Sequence, residues 1–355
     1  MNETLSGFEP NIAIPPGETI KDYLESLGMS QVDFSKRLGF TPKTVNEIIN
    51  GKAPITAETA LKLENIFGTP ASFWNTLEVK YQEVKARIDA EKKIEEEIEI
   101  VRMIPYSTLA NMGFVQTSKM INNKVTNLRS FFAVGSLHYI PDIFPVAFRI
   151  EKDKASSLAL ATWIRIGEIL ASDIKTERYD EKKLKLMIPF FRELTLQTSI
   201  EFHLKLIELC TSCGIAFVLV PHLPKTYAHG VTKWLTPNKA LVQLSIRRSY
   251  VDIFWFSFFH EIGHILLHGK KQTFTEIGIK GKIEEEADHF AAEQLIPSKL
   301  YNLFISKRNI SLSSILKFAE SINIHPCIVV GKLQHDGFLD HSQLNHIRPK
   351  LIWKN

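Results

Sequence analysis

The sequence predicts a mainly α protein with a small mixed β-sheet (α+β): an all-α N-terminal module, a long connecting helix and an α+β C-terminal domain, over 1–77, 78–104 and 105–355. Three changes of texture predict it. Residues 17 to 77 are short helical segments punctuated by Gly28, Gly39, Pro42, Gly51, Pro54, Gly68 and Pro70. From Glu78 to Arg102 there is no Gly or Pro, and eight acidic and six basic residues mark a solvated helix. Beyond Pro105, helical and strand patterns mix.

At about 100–200 residues per domain, 355 residues leave room for two or three domains, and 45% apolar with 23% charged residues is ordinary globular composition. That excludes disordered, collagenous and disulfide-stapled classes. The stretch Met1 to Pro16 has neither the basic nor the apolar region of a secretory signal, and no run approaches about 18 uninterrupted apolar residues. A cytoplasmic protein with no membrane partner is expected. Cys210, Cys213 and Cys327 are too few for a disulfide framework, and the C-x-x-C pair lacks the second pair of a zinc ribbon, so all three read as structural thiols.

Within the first module, Gln31 to Asn50 has helix-turn-helix grammar. Ser30 can cap a helix ending at Leu38, Gly39 supplies the turn, and Thr41 caps a second helix that opens with Pro42. Val32, Phe34, Leu38, Val45, Ile48 and Ile49 are the expected shared core. Lys43, Thr44, Asn46, Glu47 and Asn50 then project outward, and with Gln31, Thr41 and Lys52 they form the expected DNA-contacting set. A recognition helix offers such side chains to base edges in the major groove, where Asn suits adenine, Lys guanine and Thr the thymine methyl. The formal net charge of +4 says little, but Lys36, Arg37, Lys43 and Lys52 against Glu47 give 36 to 52 a local balance of +3. Positive charge is thus focused where phosphates would lie. The competing reading is a small helical bundle for protein docking.

The order of elements from "PPGETIKDYLESLGMSQVDFSKRLGFTPKTVNEIING" through "ITAETALKLENIFGTPASFWNTL" resembles the Cro/repressor-type helix-turn-helix family, HigA-like antitoxins in particular, over about residues 15 to 82. The resemblance implies a homodimer on a palindromic double-stranded DNA operator, and the expected protein partner is a substrate or a cognate toxin. Of the connecting helix, Leu77, Tyr81, Val84 and Ile88, then Ile94, Ile98 and Val101, form two short apolar runs. These suit a helix lying one-sidedly on the protein better than a sustained dimer seam.

In the C-terminal domain the expected helices are Ser157 to Ile174, Lys182 to Cys210, Asp252 to His268 and Ile283 to Gln294, and the clearest strands are Ile215 to Val220 and Ala240 to Ile246. His260, Glu261 and His264 form H-E-x-x-H, which on a helix sets two imidazoles one turn apart on one face with a carboxylate beside them. Zinc asks for a third ligand, and the acidic helix "EEEADHFAAEQLIP" offers Glu284, with Glu286 competing. If Glu284 binds, Asp288 one turn later can hydrogen-bond a ligating imidazole, while Glu285 points to solvent. His268, a further turn along, is wall or substrate contact. His229, His325 and His335 are candidate electrophiles for an oxyanion, each with a plainer structural reading.

Together "FHEIGHILLHG" and "EEEADHFAAEQLIP" resemble the ImmA/IrrE family of zincin-like metallopeptidases over about residues 206 to 330. The resemblance implies Zn2+ on His260, His264 and Glu284, with Glu261 as general base acting on a protein substrate. Two departures stand out: Asp288 where Asn is frequent, and "FWFSFF" in place of Phe-Thr-x-Ala, expected to narrow the substrate cleft.

Overall fold

Serine and threonine caps alternate with left-handed glycines to divide the first helices of the chain. The computed structural model describes residues 12–150, 153–197, 199–246, 250–269, 274–275 and 281–352. Most of the N-terminal stretch read above for a leader, residues 1–11, lies outside the described residues. The chain divides into two units, Met1–Ile98 and Glu99–Asn355.

The first unit holds α1 (Pro16–Ser26), α2 (Gln31–Leu38), α3 (Pro42–Ile49), α4 (Ala57–Phe67) and the start of α5 (Ala71–Met103). Ser30 Oγ accepts the Asp33 amide and Thr41 Oγ1 the Thr44 amide, both at 3.1 Å, satisfying N–H groups that a helix start leaves open. Gly39, at φ 70°, ends α2 in the left-handed region where glycine carries no Cβ penalty. Phe34, Leu38, Val45, Ile48 and Ile49 are buried, with Ile20, Leu63 and Trp74 completing the core. Val32 departs from the expected core and is 52% exposed. Phe34 and Leu38 are four apart and define the inward face of α2, which turns Val32 to the other side.

The connecting helix was expected from Glu78, yet α5 starts at Ala71. Its first turns are fastened to the first unit: Trp74 is fully buried, Glu78 Oε2 accepts the Ile55 amide at 3.0 Å, and Tyr81 donates to Gly51 O at 3.3 Å. A domain edge at residue 77 would cut this helix between two residues that serve the same core.

In the second unit, α6 (Tyr106–Asn111), α7 (Ile121–Phe132), α8 (Ile140–Ile143), α9 (Pro145–Ile150), α10 (Lys154–Asp173), α11 (Glu181–Glu193) and α12 (Ser199–Ser212) precede the sheet. The single helix expected over Lys182 to Cys210 is therefore two. Between them a short turn buries Leu194 and Thr195, and Thr195 Oγ1 accepts the His325 amide at 3.4 Å, so this stretch serves the C-terminal helices. The sheet contains β1 (Ile215–Leu219), β2 (Gly230–Thr236), β3 (Lys239–Leu244) and β4 (Phe274–Thr275), in the order β1-β3-β2-β4. The β1–β3 pair is parallel and the other pairs are antiparallel, giving the mixed sheet and α+β class that the sequence predicts.

Alternation along the strands separates the two faces. Lys233 and Gln243 reach α10, through Glu168 and through Trp163 O at 2.8 Å respectively. Thr232, Val242 and Leu244 turn the other way, toward α13 (Val251–Leu267). That helix is apolar on nearly every side, as a fully enclosed helix must be. The C-terminal layer adds α14 (Lys282–Leu295), α15 (Ser298–Ser306), α16 (Leu312–Ser321) and α17 (Pro326–His335). Among the described residues no helix is long and apolar enough to cross a membrane.

Candidate functional site

Helix α13 must approach α14 closely for their side chains to share one point, and a glycine makes that possible. A Cβ added at Gly263 would lie 3.3 Å from Ala287 Cα, tighter than ordinary packing, so the second variable position of H-E-x-x-H is where the two helices touch. Around that contact His260 and His264 are 1% and 0% exposed, and both present Nε2 to Glu284 on α14.

The donor separations are informative. His260 Nε2 lies 3.0 Å from His264 Nε2 and 3.1 Å from Glu284 Oε2, and His264 Nε2 lies 3.4 Å from the same oxygen. Two zinc bonds of about 2.0–2.1 Å at a tetrahedral angle put their donors about 3.3 Å apart. Two buried imidazoles and one half-buried carboxylate in a triangle of that size fit a zinc ion, and the open side would be the fourth position. Burial pushes the Glu284 carboxyl up, but hydrogen bonds from His260 and His264 overcome it and hold it at about 2. Burial likewise holds the His264 imidazole below its ordinary value, keeping the ring neutral as a ligand requires.

Behind the triangle, His260 Nδ1 is 2.8 Å from Asp288 Oδ1, an arrangement that fixes the ring and its tautomer. His264 Nδ1 faces His268 Nδ1 at 3.0 Å, and His268 Nε2 lies 3.3 Å from Glu286 Oε2. His268 and Glu286 thus pair with each other beside the triangle, and Glu285 is exposed.

Glu261 turns the other way, toward the sheet. Its Oε2 accepts the Thr232 hydroxyl at 2.6 Å, and the same hydroxyl lies 3.1 Å from the Glu261 carbonyl. Gly230, one strand position pair earlier, leaves room for the carboxylate: a Cβ there would lie 2.3 Å from Glu261 Oε1. Sequence reasoning missed both residues because it missed β2. The available signal was the alternation of Val231, Lys233 and Leu235 with Thr232 and Trp234 before the turn residues Pro237 and Asn238.

The candidate electrophiles separate by position. His325 Nδ1 accepts the Cys327 amide at 3.1 Å and caps α17, and His335 is exposed and pairs with Asp336 at 3.0 Å. His229 is half-buried, immediately before Gly230. The aromatic run expected to narrow a substrate cleft mostly does something else. Phe254, Trp255, Phe258 and Phe259 belong to the core, where large rings must bury their area, and Phe256 is the half-buried member. Cys210, Cys213 and Cys327 are buried thiols.

In the first unit, Gln31, Thr41, Lys43, Asn46, Asn50 and Lys52 are exposed, and Thr44 and Glu47 are half-buried. Thr41 has its hydroxyl engaged as the α3 cap. Asn50 Nδ2 donates to Asn46 Oδ1 at 2.8 Å and to Asn46 O at 2.7 Å, fixing one side-chain pair on the outer face of α3.

Comparison with known proteins assigns both regions. A helix-turn-helix family profile matches residues 20–74, and an IrrE N-terminal-like domain profile matches residues 253–322. Virulence-associated protein I of Dichelobacter nodosus is 39% identical over 70 residues, which is 19% of this chain and 65% of that protein. The chain therefore spans just under two thirds of that relative. The uncharacterized HTH-type transcriptional regulator YddM of Escherichia coli (strain K12) is 30% identical over 80 residues, covering 22% of this chain and 81% of that protein. Among solved structures, an addiction module antidote protein of a HigA family from Coxiella burnetii is 40% identical, covering 24% of this chain and 94% of that one, with a TM-score of 0.22.

Proposed function

This chain belongs to the helix-turn-helix transcriptional regulators through its N-terminal module and carries an IrrE-like peptidase-family domain, and on that premise we propose an antitoxin-like repressor with a zinc peptidase of the H-E-x-x-H type. The regulator binds a palindromic operator as a homodimer in the cytoplasm, with Lys43, Thr44, Asn46 and Glu47 of α3 and its C-cap Asn50 toward the major groove and Gln31, Thr41 and Lys52 beside the backbone. Its metal domain acts on a protein partner, either a substrate or a cognate toxin.

The observation that carries the metal reading is the triangle of buried His260 and His264 with half-buried Glu284, whose donor atoms all lie within 4.8 Å of one another. Zn2+ held there supplies Lewis-acid activation of water and of a peptide carbonyl. Asp288 holds His260 in register. Glu261 accepts the proton of the attacking water and returns it to the leaving amine, the task of a general base that later acts as acid.

A second reading is favoured by one observation: Glu261 is 0% exposed, enclosed by β2. On that reading the metal domain is non-catalytic and serves dimerisation or toxin docking. Metal analysis of the purified chain and of His260→Ala tests the peptidase reading: substoichiometric zinc unchanged by the substitution removes it and leaves the docking reading. Glu261→Gln separates them. A variant that keeps zinc and stops a cleavage product from forming in cells supports the peptidase, and one that keeps both zinc and the product removes Glu261 as base.

A further inference from the structure

Beside the metal-site histidines the second unit leaves a cavity of about 450 Å³, within the range of roughly 300–1,000 Å³ that small-molecule sites occupy. Ile253 and Phe256 of α13, Ala292 and Leu295 of α14, and Ile328 and Gly331 of α17 form its walls, so the body of any occupant must be apolar. Around it two acid–base pairs are neutralised and one carboxylate is not. Asp252 is taken by Arg348, whose Nε and Nη2 reach its two oxygens at 3.1 and 2.7 Å. Lys332 is taken by Asp336 at 2.9 Å, and two histidines also line the cavity, His289 and His335, the latter 3.0 Å from the same Asp336 carboxylate. Asp288 remains: it lines the cavity, its side chain is 57% exposed, and its contact among the described residues is Oδ1 with His260 Nδ1. Counted with the histidines neutral, the cavity carries one net negative charge, on a carboxylate with an oxygen to spare.

We propose that this cavity binds a small primary amine on an apolar body, with the ammonium on Asp288, and that its occupation is coupled to metal binding through the Asp288–His260 bond. An ammonium on Asp288 draws the carboxylate away from His260 Nδ1, removing the support that orients the ring and raises its basicity, and it adds positive charge near a site for a cation. The coupling is negative and, as a binding free energy, reciprocal: zinc weakens the amine by the factor by which the amine weakens zinc. The coupling half rests on the zinc reading above, and the binding half does not.

The test uses the full chain, stripped of metal and then reloaded with zinc, titrated calorimetrically with 2-phenylethylamine and with 2-phenylethanol, which has the same body without the charge. The metal-free protein should bind the amine about tenfold tighter than the alcohol, the worth of a hydrogen bond to a charged group. In Asp288→Asn that preference should collapse while the alcohol still binds, which also shows that the variant is folded. Zinc saturation should weaken the amine about fivefold or more, with the same factor on zinc at saturating amine. Absence of saturable amine binding, equal affinity for the two probes, or a preference that survives Asp288→Asn overturns the site. Amine binding indifferent to zinc overturns the coupling. A chain that takes up no zinc sinks the metal reading instead, and the amine preference of the metal-free protein still decides the site.

Discussion

Helices α3 and α13 carry the two candidate functions in opposite ways. Helix α3 buries Val45, Ile48 and Ile49 and gives its remaining positions wholly or partly to solvent, so its chemistry faces outward and depends on little besides its own periodicity. Helix α13 buries nearly all of itself, so each polar side chain on it needs a partner from another element: Glu284 and Asp288 from α14, Thr232 from β2. An outward site tolerates loose surroundings and loses function one contact at a time. An inward site ties function to packing, and a substitution there changes stability and chemistry together.

That contrast can be broken at several points. The largest effect is expected for His264→Ala, which removes one buried corner of the triangle and should reduce bound zinc from about one ion per chain to a small fraction, while leaving operator binding of the separate first unit unchanged in a gel shift. Loss of both would show that the regions are not independent. Lys43→Ala with Asn46→Ala should weaken operator binding by about tenfold or more without altering zinc content, and Lys43→Ala alone should lower the salt-dependence slope by about 1. An unchanged affinity places the DNA contacts elsewhere.

Smaller effects probe the packing around Glu261. Gly230→Ala puts a methyl 2.3 Å from Glu261 Oε1 and 2.8 Å from Leu244 Cδ2, and should cost about 1–3 kcal/mol of stability in urea denaturation. Thr232→Val removes the hydroxyl on Glu261 Oε2 at a cost of about 1–3 kcal/mol, and Thr232→Ser should restore it. No loss in either variant would mean that β2 does not hold the carboxylate.

The smallest effect is with pH. All 12 histidines lie beyond the first unit. Burial holds His203 and His325 below the ordinary 6.5, and the neutral His325 ring accepts the α17 cap bond. The unfolded chain then takes up protons first as pH falls, so the stability these groups contribute is full above about 6.5 and declines below it. Hydrogen exchange resolved by segment should show protection in the second unit falling between pH 7.5 and 5.5 and little change in the first. Equal loss in both would point to a different titrating group.

Much of this was legible in the chain. Ser30, Gly39, Thr41 and Pro42 act within a few residues of themselves, so the first helices and their outward face follow from local grammar. The H-E-x-x-H spacing fixes two imidazoles on one face of any helix that contains it. Val32 was misplaced because it is apolar like Phe34 and Leu38, while the inward face is chosen by what packs against α2.

What sequence by itself determined is the set of groups that local spacing controls: the caps, the outward face of α3 and the paired histidines. Tertiary structure decided which distant groups meet them. It seated Glu284 on the histidines and paired Glu286 with His268, joined Trp74 and Glu78 to the first core, and brought Gly230 and Thr232 to Glu261. The reason is physical. Helix periodicity is set by the backbone hydrogen bonds of each segment, whereas the meeting of α13 with α14 and β2 is set by close packing at Gly263 and across the sheet, which no single segment contains.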